Sequence, residues 1–409
     1  MRQLHRCRRR SGPIHLHGRR RPSVVLATVG GLLAAVLLSA CSGNGKVAGS
    51  STTTTSIPPL PPAVIAYVTL AGAGNNLGYG DSLLPVTVGG ANGGSPVGTK
   101  IRVGTYPDAV AINKAGTIAY VANYTSNTVT PVDLRTGKAG KAIPAGIGPA
   151  DIAIAPDGKT AYVTDDGSAS ALGDTVTPID LATDTPETPI KVGAGPQGIA
   201  ITPDGSTAYV ADAGAIVTGQ SGPVGHTVTP IDLATGKAEA PITVGNAPTG
   251  VAISPDGSTV FVTNLNSGSV SPISTASGIA GPAIAVQGGP LSLAVAGGFV
   301  WVVDGPSSTY PHDNVTPISL ATDRAGPPIP IQSGAQDIAI TPNGTTAWVT
   351  CLTGLLVPIH LRARTVGAPI HVGGGPFGIA IATEPNGGSG PSSPPSASSH
   401  RHRKTTKKG

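Results

Sequence analysis
Charge is scarce in this chain: only 11% of its 409 residues are Asp, Glu, Lys or Arg. Chains that stay unfolded usually carry high charge and few β-branched residues, whereas here Val, Ile and Thr fill the spaces between glycines, so a packed core is expected. The 58 glycines keep no three-residue period, which excludes a collagen-like helix. Catalytic signatures are missing too. The sequence contains no GxSxG elbow, no HExxH, no CxxC pair and no P-loop lysine. Turns such as GAGPQG are followed by no helical pattern, so their glycines do not mark a dinucleotide site.

The formal charge of +5 and the isoelectric point near 9.1 suggest a nucleic-acid binder only until the charges are located. Of 26 Lys and Arg, eight precede residue 22 and five follow residue 400, leaving 13 against all 21 acidic residues between 41 and 399, a net charge of −8. The body of the protein is therefore acidic. Long-range attraction to a phosphate backbone is not supported, and nucleic acid is not an expected partner.

The basic N-terminus, MRQLHRCRRR, precedes the apolar run SVVLATVGGLLAAVLLSA, in the order of an export signal. The run is long enough to cross a bilayer, so its end decides between anchor and signal. That end, LSAC at Leu38 to Cys41, resembles the bacterial lipobox. The resemblance implies cleavage before Cys41, a diacylglycerol on its sulfur, and residence at the outer face of the bacterial cytoplasmic membrane. Arg19, Arg20 and Arg21 fall short of a twin-arginine motif, because Ser23 stands where that motif usually has a bulky apolar residue. With Cys7 lost in the signal and Cys41 acylated, Cys351 has no disulfide partner and is expected to act as a small apolar residue at a strand end.

One phrase recurs through the remainder: PDGKTAYVTDD at Pro156, PDGSTAYVADA at Pro203, PDGSTVFVTNL at Pro255 and PNGTTAWVTCL at Pro342. Aligned on it, residues 63–382 repeat four short β-rich runs. They are an IAI-like run, an AYVT-like run, a VTPIDL-like run and a PIxVG-like run, each bounded by Gly, Pro, Asp or Asn. Each occurs seven times. Four strands per unit at this spacing predict an all-β, seven-bladed β-propeller of four-stranded antiparallel blades. The chain enters at a second strand, AVIAYVT, and leaves after an unpaired first strand, FGIAIA at 377–382, so the N-terminal strands should pair with the C-terminal one and close the ring.

Aromatic residues are few, two Trp, eight Tyr and three Phe, yet seven of them share one column. Tyr67, Tyr120, Tyr162, Tyr209, Phe261, Trp301 and Trp348 all precede a valine in the second strand and are expected to fill the wedges between blades. PDG reads as a tight turn, which makes Asp157, Asp204 and Asp256 structural. The proline inside VTPIDL lacks a ladder donor, so either the outer strand leaves it uncovered or the third strand bulges there.

YVTD, YVAD, FVTN and YVAN beside PDG, with VTPIDLATGK downstream, resemble the YVTN-type β-propeller repeats of bacterial and archaeal secreted and surface-layer proteins. The resemblance covers nearly all of 63–382. It implies the fold but not one activity, since such propellers include lactonase-like enzymes as well as surface proteins.

Long insertions, 165–174, 212–226 and 304–314, all join second to third strands and so share one rim, where a binding site is expected. Asp165, Asp166, Asp174, Asp212, Asp304 and Asp313 lie there, and Asp108, Asp151 and Asp337 begin first strands near the axial channel. Oxygen ligands from several loops would suit calcium; no other cofactor is expected, and no DxDxDG loop is present. The competing reading is that these Asp residues merely end strands. His226 and His312 are expected to be solvent-exposed.

The chain therefore divides into a lipoprotein signal (1–40), a Ser/Thr/Pro tether (41–62), the propeller (63–382) and a basic tail (383–409) able to meet anionic lipid or cell-wall polymer. The functional expectation is a monomeric, lipid-anchored binding or scaffolding module for a protein or envelope polymer, acting through its long-loop face. The alternative is a lactonase-like hydrolase or metal-dependent enzyme at the acidic channel mouth.

Overall fold
The computed structural model describes residues 62–72, 80–89, 96–215, 222–305, 312–332 and 334–384. Cys41, the signal, nearly all of the tether and the basic tail lie outside the described residues.

Each copy of the repeated phrase becomes one sheet, and seven sheets result. In the second blade the strands are Pro107–Ile112, Ile118–Asn123 and Thr128–Asp133, in order from the axis outward. The PDG-like turns close tightly, as at 156–158, where the Lys159 amide donates to Asp157 Oδ1 at 3.0 Å and Gly158 takes φ 71°. Among the described residues every strand pair is antiparallel and no α-helix occurs.

The proline in the third strand shapes the outer strand. Tyr120 pairs with Pro131 in an unbroken register, so the third strand does not bulge. The outer strand instead divides into Lys138–Ala139 and Ile143–Pro144, which pair with either end of the third strand and leave Pro131 between them. The Gly140 amide then donates to the Pro131 carbonyl at 2.7 Å. Six of the seven sheets have this divided outer strand.

Closure joins the two ends of the ring. Pro376–Thr383 lies beside Val64–Leu70, with Ala66 opposite Ile381 and Val68 opposite Ile379, and the sheet is completed by Ser82–Gly89 and Ile101–Arg102. The Thr69 hydroxyl accepts from the Gly378 amide at 2.7 Å across this seam.

Alternation along the second strand builds the core. Tyr120 packs with Ile152, Ala161 and Val163 of the next blade, while its neighbours Ala119 and Val121 turn the other way, toward Tyr67 of the preceding one. The same exchange runs round the ring, one hydrophobic cluster per interface, and all seven aromatic side chains of the column are buried. A period of two thus puts one large ring into every wedge.

Candidate functional site: an acidic axial cavity
The candidate acidic residues part company in three dimensions. Asp165, Asp212 and Asp304 lie in the second strand, three places after the aromatic, and their side chains fold into their own blades. Asp212 takes the hydroxyls of Thr227 and Thr229 at 2.9 and 2.7 Å and the Gly193 amide at 3.1 Å. Asp165 accepts from Thr175 and Thr177, both at 2.8 Å, and Asp304 from Thr316. Two other blades carry Asn in the same column: Asn123 accepts from Gly104 at 3.0 Å and donates to Thr130 at 3.0 Å, and Asn264 does the same with Gly245 and Ser271. The shared task is to hold the turn before the first strand against the third strand, and it requires no charge.

That contact also explains a glycine. A Cβ on Gly193 would lie 2.3 Å from Asp212 Cγ, and one on Gly104 would lie 2.6 Å from Asn123 Cγ. Burial without a countercharge pushes Asp165 and Asp212 up to about 6 and Asp304 up to about 7. Cys351 fills this column in the seventh blade; burial first, and Asp313 second, push its thiol up to about 12, so it is inert as a nucleophile. Asp313 is buried at the rim, where its Oδ2 accepts from the Ala335 amide at 2.6 Å. Asp174 pairs with Lys191 at 2.8 Å on the exposed rim, and His226 and His312 are exposed.

The other four carboxyls meet at the axis. Two adjacent residues near the start of each inner strand line a cavity of about 440 Å³, so all seven blades contribute to it. Asp108, Asp151 and Asp337 come from inner strands, and Asp166 reaches in from the insertion after Asp165. Asp151 and Asp337 are bridges as well as lining. Asp151 accepts from its own blade's Ile152 at 2.8 Å and from Ile199 of the next blade at 2.9 Å, and Asp337 accepts from Ile338 at 2.8 Å and from Ile379 at 3.0 Å. Ser292 adds its hydroxyl to Asp337 at 2.6 Å.

Asp108 sits one place earlier in its strand, so its side chain does not reach a neighbouring amide. Its Oδ1 is buried and accepts no hydrogen bond. Desolvation, then repulsion from Asp151, Asp166 and Asp337, hold the Asp108 carboxyl well above the usual carboxylate range. Desolvation outweighs two amide hydrogen bonds at Asp151, which is pushed up to about 7, and Asp337 is raised for the same reason. Near neutral pH the cavity therefore stores protons at Asp108 and Asp151.

Three rings form one corner of the cavity. Tyr106 meets Tyr124 edge to face with centroids 5.8 Å apart and lies 6.1 Å from Phe377. The Tyr124 hydroxyl donates to Asp166 at 3.2 Å. Tyr106 has φ 54°, a left-handed conformation that Gly148, Gly195 and Gly375 supply at the corresponding step before the proline of other inner strands. A bulky residue is strained there. These rings are absent from the sequence-based candidates, although Tyr106 is visible in the aligned repeats as a tyrosine where most other copies carry glycine and one carries Ala247. Among the described residues no group of three or more His, Cys, Asp or Glu is arranged to hold a metal ion. A cleft of about 460 Å³ on the PDG side is lined by Asp157 and Asp204. Asp204 is already engaged there by Thr202 and Ser206.

The fold and its axial cavity define a closed seven-bladed β-propeller with an acidic central pocket. No family model matches the sequence, and no curated protein matches it. Solved structures share the fold. A putative 6-phosphogluconolactonase from Bacteroides fragilis superposes with a TM-score of 0.62 at 13% identity, covering 82% of this chain and 100% of that one. A functionally unknown protein from Desulfotomaculum acetoxidans gives 0.61 at 16% identity, over 78% of this chain and 99% of that one. The hydrazine synthase of Kuenenia stuttgartiensis gives 0.57 at 20% identity, over 80% and 99%.

Proposed function
We propose that this chain is an exported, lipid-anchored propeller of the YVTN type that binds a small ligand in its axial cavity, on the long-loop face. The convergence of all seven blades on a space of about 440 Å³, with Asp108, Asp151, Asp166 and Asp337 around it, carries this reading. That volume falls within the range of small-molecule sites, and rings beside a few convergent polar groups are their usual lining. The lipobox-like LSAC supports anchorage through Cys41 and display outside the cytoplasmic membrane, where the ring would act as a monomer. Cell-envelope polymers reach the same face, through their side groups, as ligands of the cavity. The test is titration of the full-length chain with envelope-derived small molecules, alone and with calcium. Binding should be weakened by Asp108→Asn and unaffected by Asp204→Asn on the opposite face.

A lactonase-like hydrolase is the second reading. Asp151 near 7 is suited to take a proton from water, and Asp108, held protonated beside it, to donate one to a leaving oxygen. The Bacteroides fragilis neighbour is described as a putative 6-phosphogluconolactonase. Among the described residues no Lys, Arg or His lines the cavity, however, so a phosphorylated substrate would meet like charge there. Hydrolysis of an uncharged sugar lactone, lost in Asp151→Asn and rising as pH passes through about 7, would favour this reading over simple binding.

A further inference from the structure
We infer that the ligand of the axial cavity is an organic cation, an alkylated ammonium held between the Tyr106, Tyr124 and Phe377 rings and the carboxyls of Asp108, Asp151 and Asp337. The inference rests on the cavity being the ligand site and adds the chemical class of what enters it.

Sign of charge is the first reason. The titratable groups facing the cavity are the carboxyls of Asp108, Asp151, Asp166 and Asp337 and the phenols of Tyr106 and Tyr124. An anion would find no cationic side chain among the described residues of the lining, whereas a cation would find several carboxyls.

The aromatic corner supplies the second reason. Ring faces attract cations through their quadrupole, most strongly where water is excluded. Tyr106 places its ring there from a left-handed backbone that Gly148, Gly195 and Gly375 adopt at the same step in other blades and Ala247 in a further one, so the fold tolerates the strain at this step and it is the position of the ring in the cavity lining that points to a site. The third reason is Asp108, whose Oδ1 is buried in the lining without a donor. An ammonium beside it would supply the missing charge.

Carboxyls spread around a ring suit such a guest better than a bare metal ion. A divalent ion needs several oxygens within about 2.5 Å of one point, whereas an alkylammonium spreads its charge over a wide, partly apolar surface. The stored protons then acquire a role. A bound cation favours the ionised carboxylates, so binding should expel protons and strengthen as pH rises through about 7, where Asp151 titrates.

The experiment is calorimetric titration of the full-length chain in detergent with choline, with its uncharged isostere 3,3-dimethylbutan-1-ol, and with gluconate. Choline is expected to bind at least tenfold more tightly than the isostere. Its affinity should rise at least tenfold from pH 5.5 to pH 8, with protons released to the buffer. Asp108→Asn, which removes no hydrogen bond, and Tyr106→Gly, which restores the glycine of the repeat, should each weaken choline at least tenfold while the melting temperature holds. Equal binding of choline and the isostere, or tighter binding of gluconate, overturns the cation assignment and leaves the cavity as the site. Binding of no probe, or binding indifferent to both substitutions, overturns the cavity reading as well.

Discussion
Replacing Asp212 with Asn should stabilise the protein, and the gain should grow with pH. In the fold the Asp212 carboxyl is 1% exposed and raised to about 6 from an ordinary value of 3.8, because burial opposes its charge more than three hydrogen bonds favour it. A folded-state value above the unfolded one means that the fold prefers the protonated form. Stability from this group is therefore complete below about pH 4 and is lost as pH rises through about 6. Two pH units at about 1.36 kcal/mol each amount to roughly 3 kcal/mol above pH 7. Asn carries no charge to desolvate, and Asn123 and Asn264 already make the same contacts in two sister blades. The Thr227 and Thr229 hydroxyls need only rotate to accept from the amide nitrogen. At about 2.1 cal/mol/K per residue, a ring of this length unfolds with roughly 0.7 kcal/mol/K, so the melting temperature at pH 8 should rise by about 4 °C. Scanning calorimetry of Asp212→Asn at pH 4.5 and pH 8 should find little change at the lower pH and that rise at the higher. A variant equally destabilised at both would refute the desolvation account and show that the carboxylate charge itself holds the turn.

Other outcomes follow from the same geometry. Trp348→Ala empties one inter-blade wedge and should lower stability by about 3–5 kcal/mol, read from denaturant unfolding of the intact chain. Ending the chain at Gly375 removes the strand that pairs with Val64–Leu70, so the ring should lose cooperative unfolding and bind amyloid-sensitive dyes through its exposed edge. Cys41→Ser should release the protein from the membrane fraction, and labelled fatty acid should no longer follow it on a gel. Asp151→Asn should flatten any dependence of ligand binding or lactone turnover on pH near 7, measured against the wild-type profile.

The fold was legible in the sequence because its information is local and repeated. Alternation places Tyr120 and Val121 on opposite faces wherever they occur, and PDG makes the same turn in each copy, so counting phrases counts blades. The unpaired FGIAIA run made the closure legible as well, since a lone first strand needs the second strand with which the chain begins. The split outer strand was half visible, as a proline that some neighbour had to avoid, and the Pro131 register shows which neighbour does so.

The acidic residues were a different matter. Along the chain Asp165 and Asp166 are adjacent, and Asp108 and Asp151 begin equivalent strands, but the ring separates the first two and distinguishes the second two. Asp165 turns into its blade while Asp166 reaches the axis, and Asp151 bridges to the next blade while Asp108, one residue out of step, does not. Sequence alone determined how many sheets there are, what wedges them apart and how they latch, because those depend on alternation within single strands. Only the tertiary structure decided which carboxyls share a cavity and which rings join them. That depends on radial distance from an axis that no single blade contains, and burial there sets their protonation.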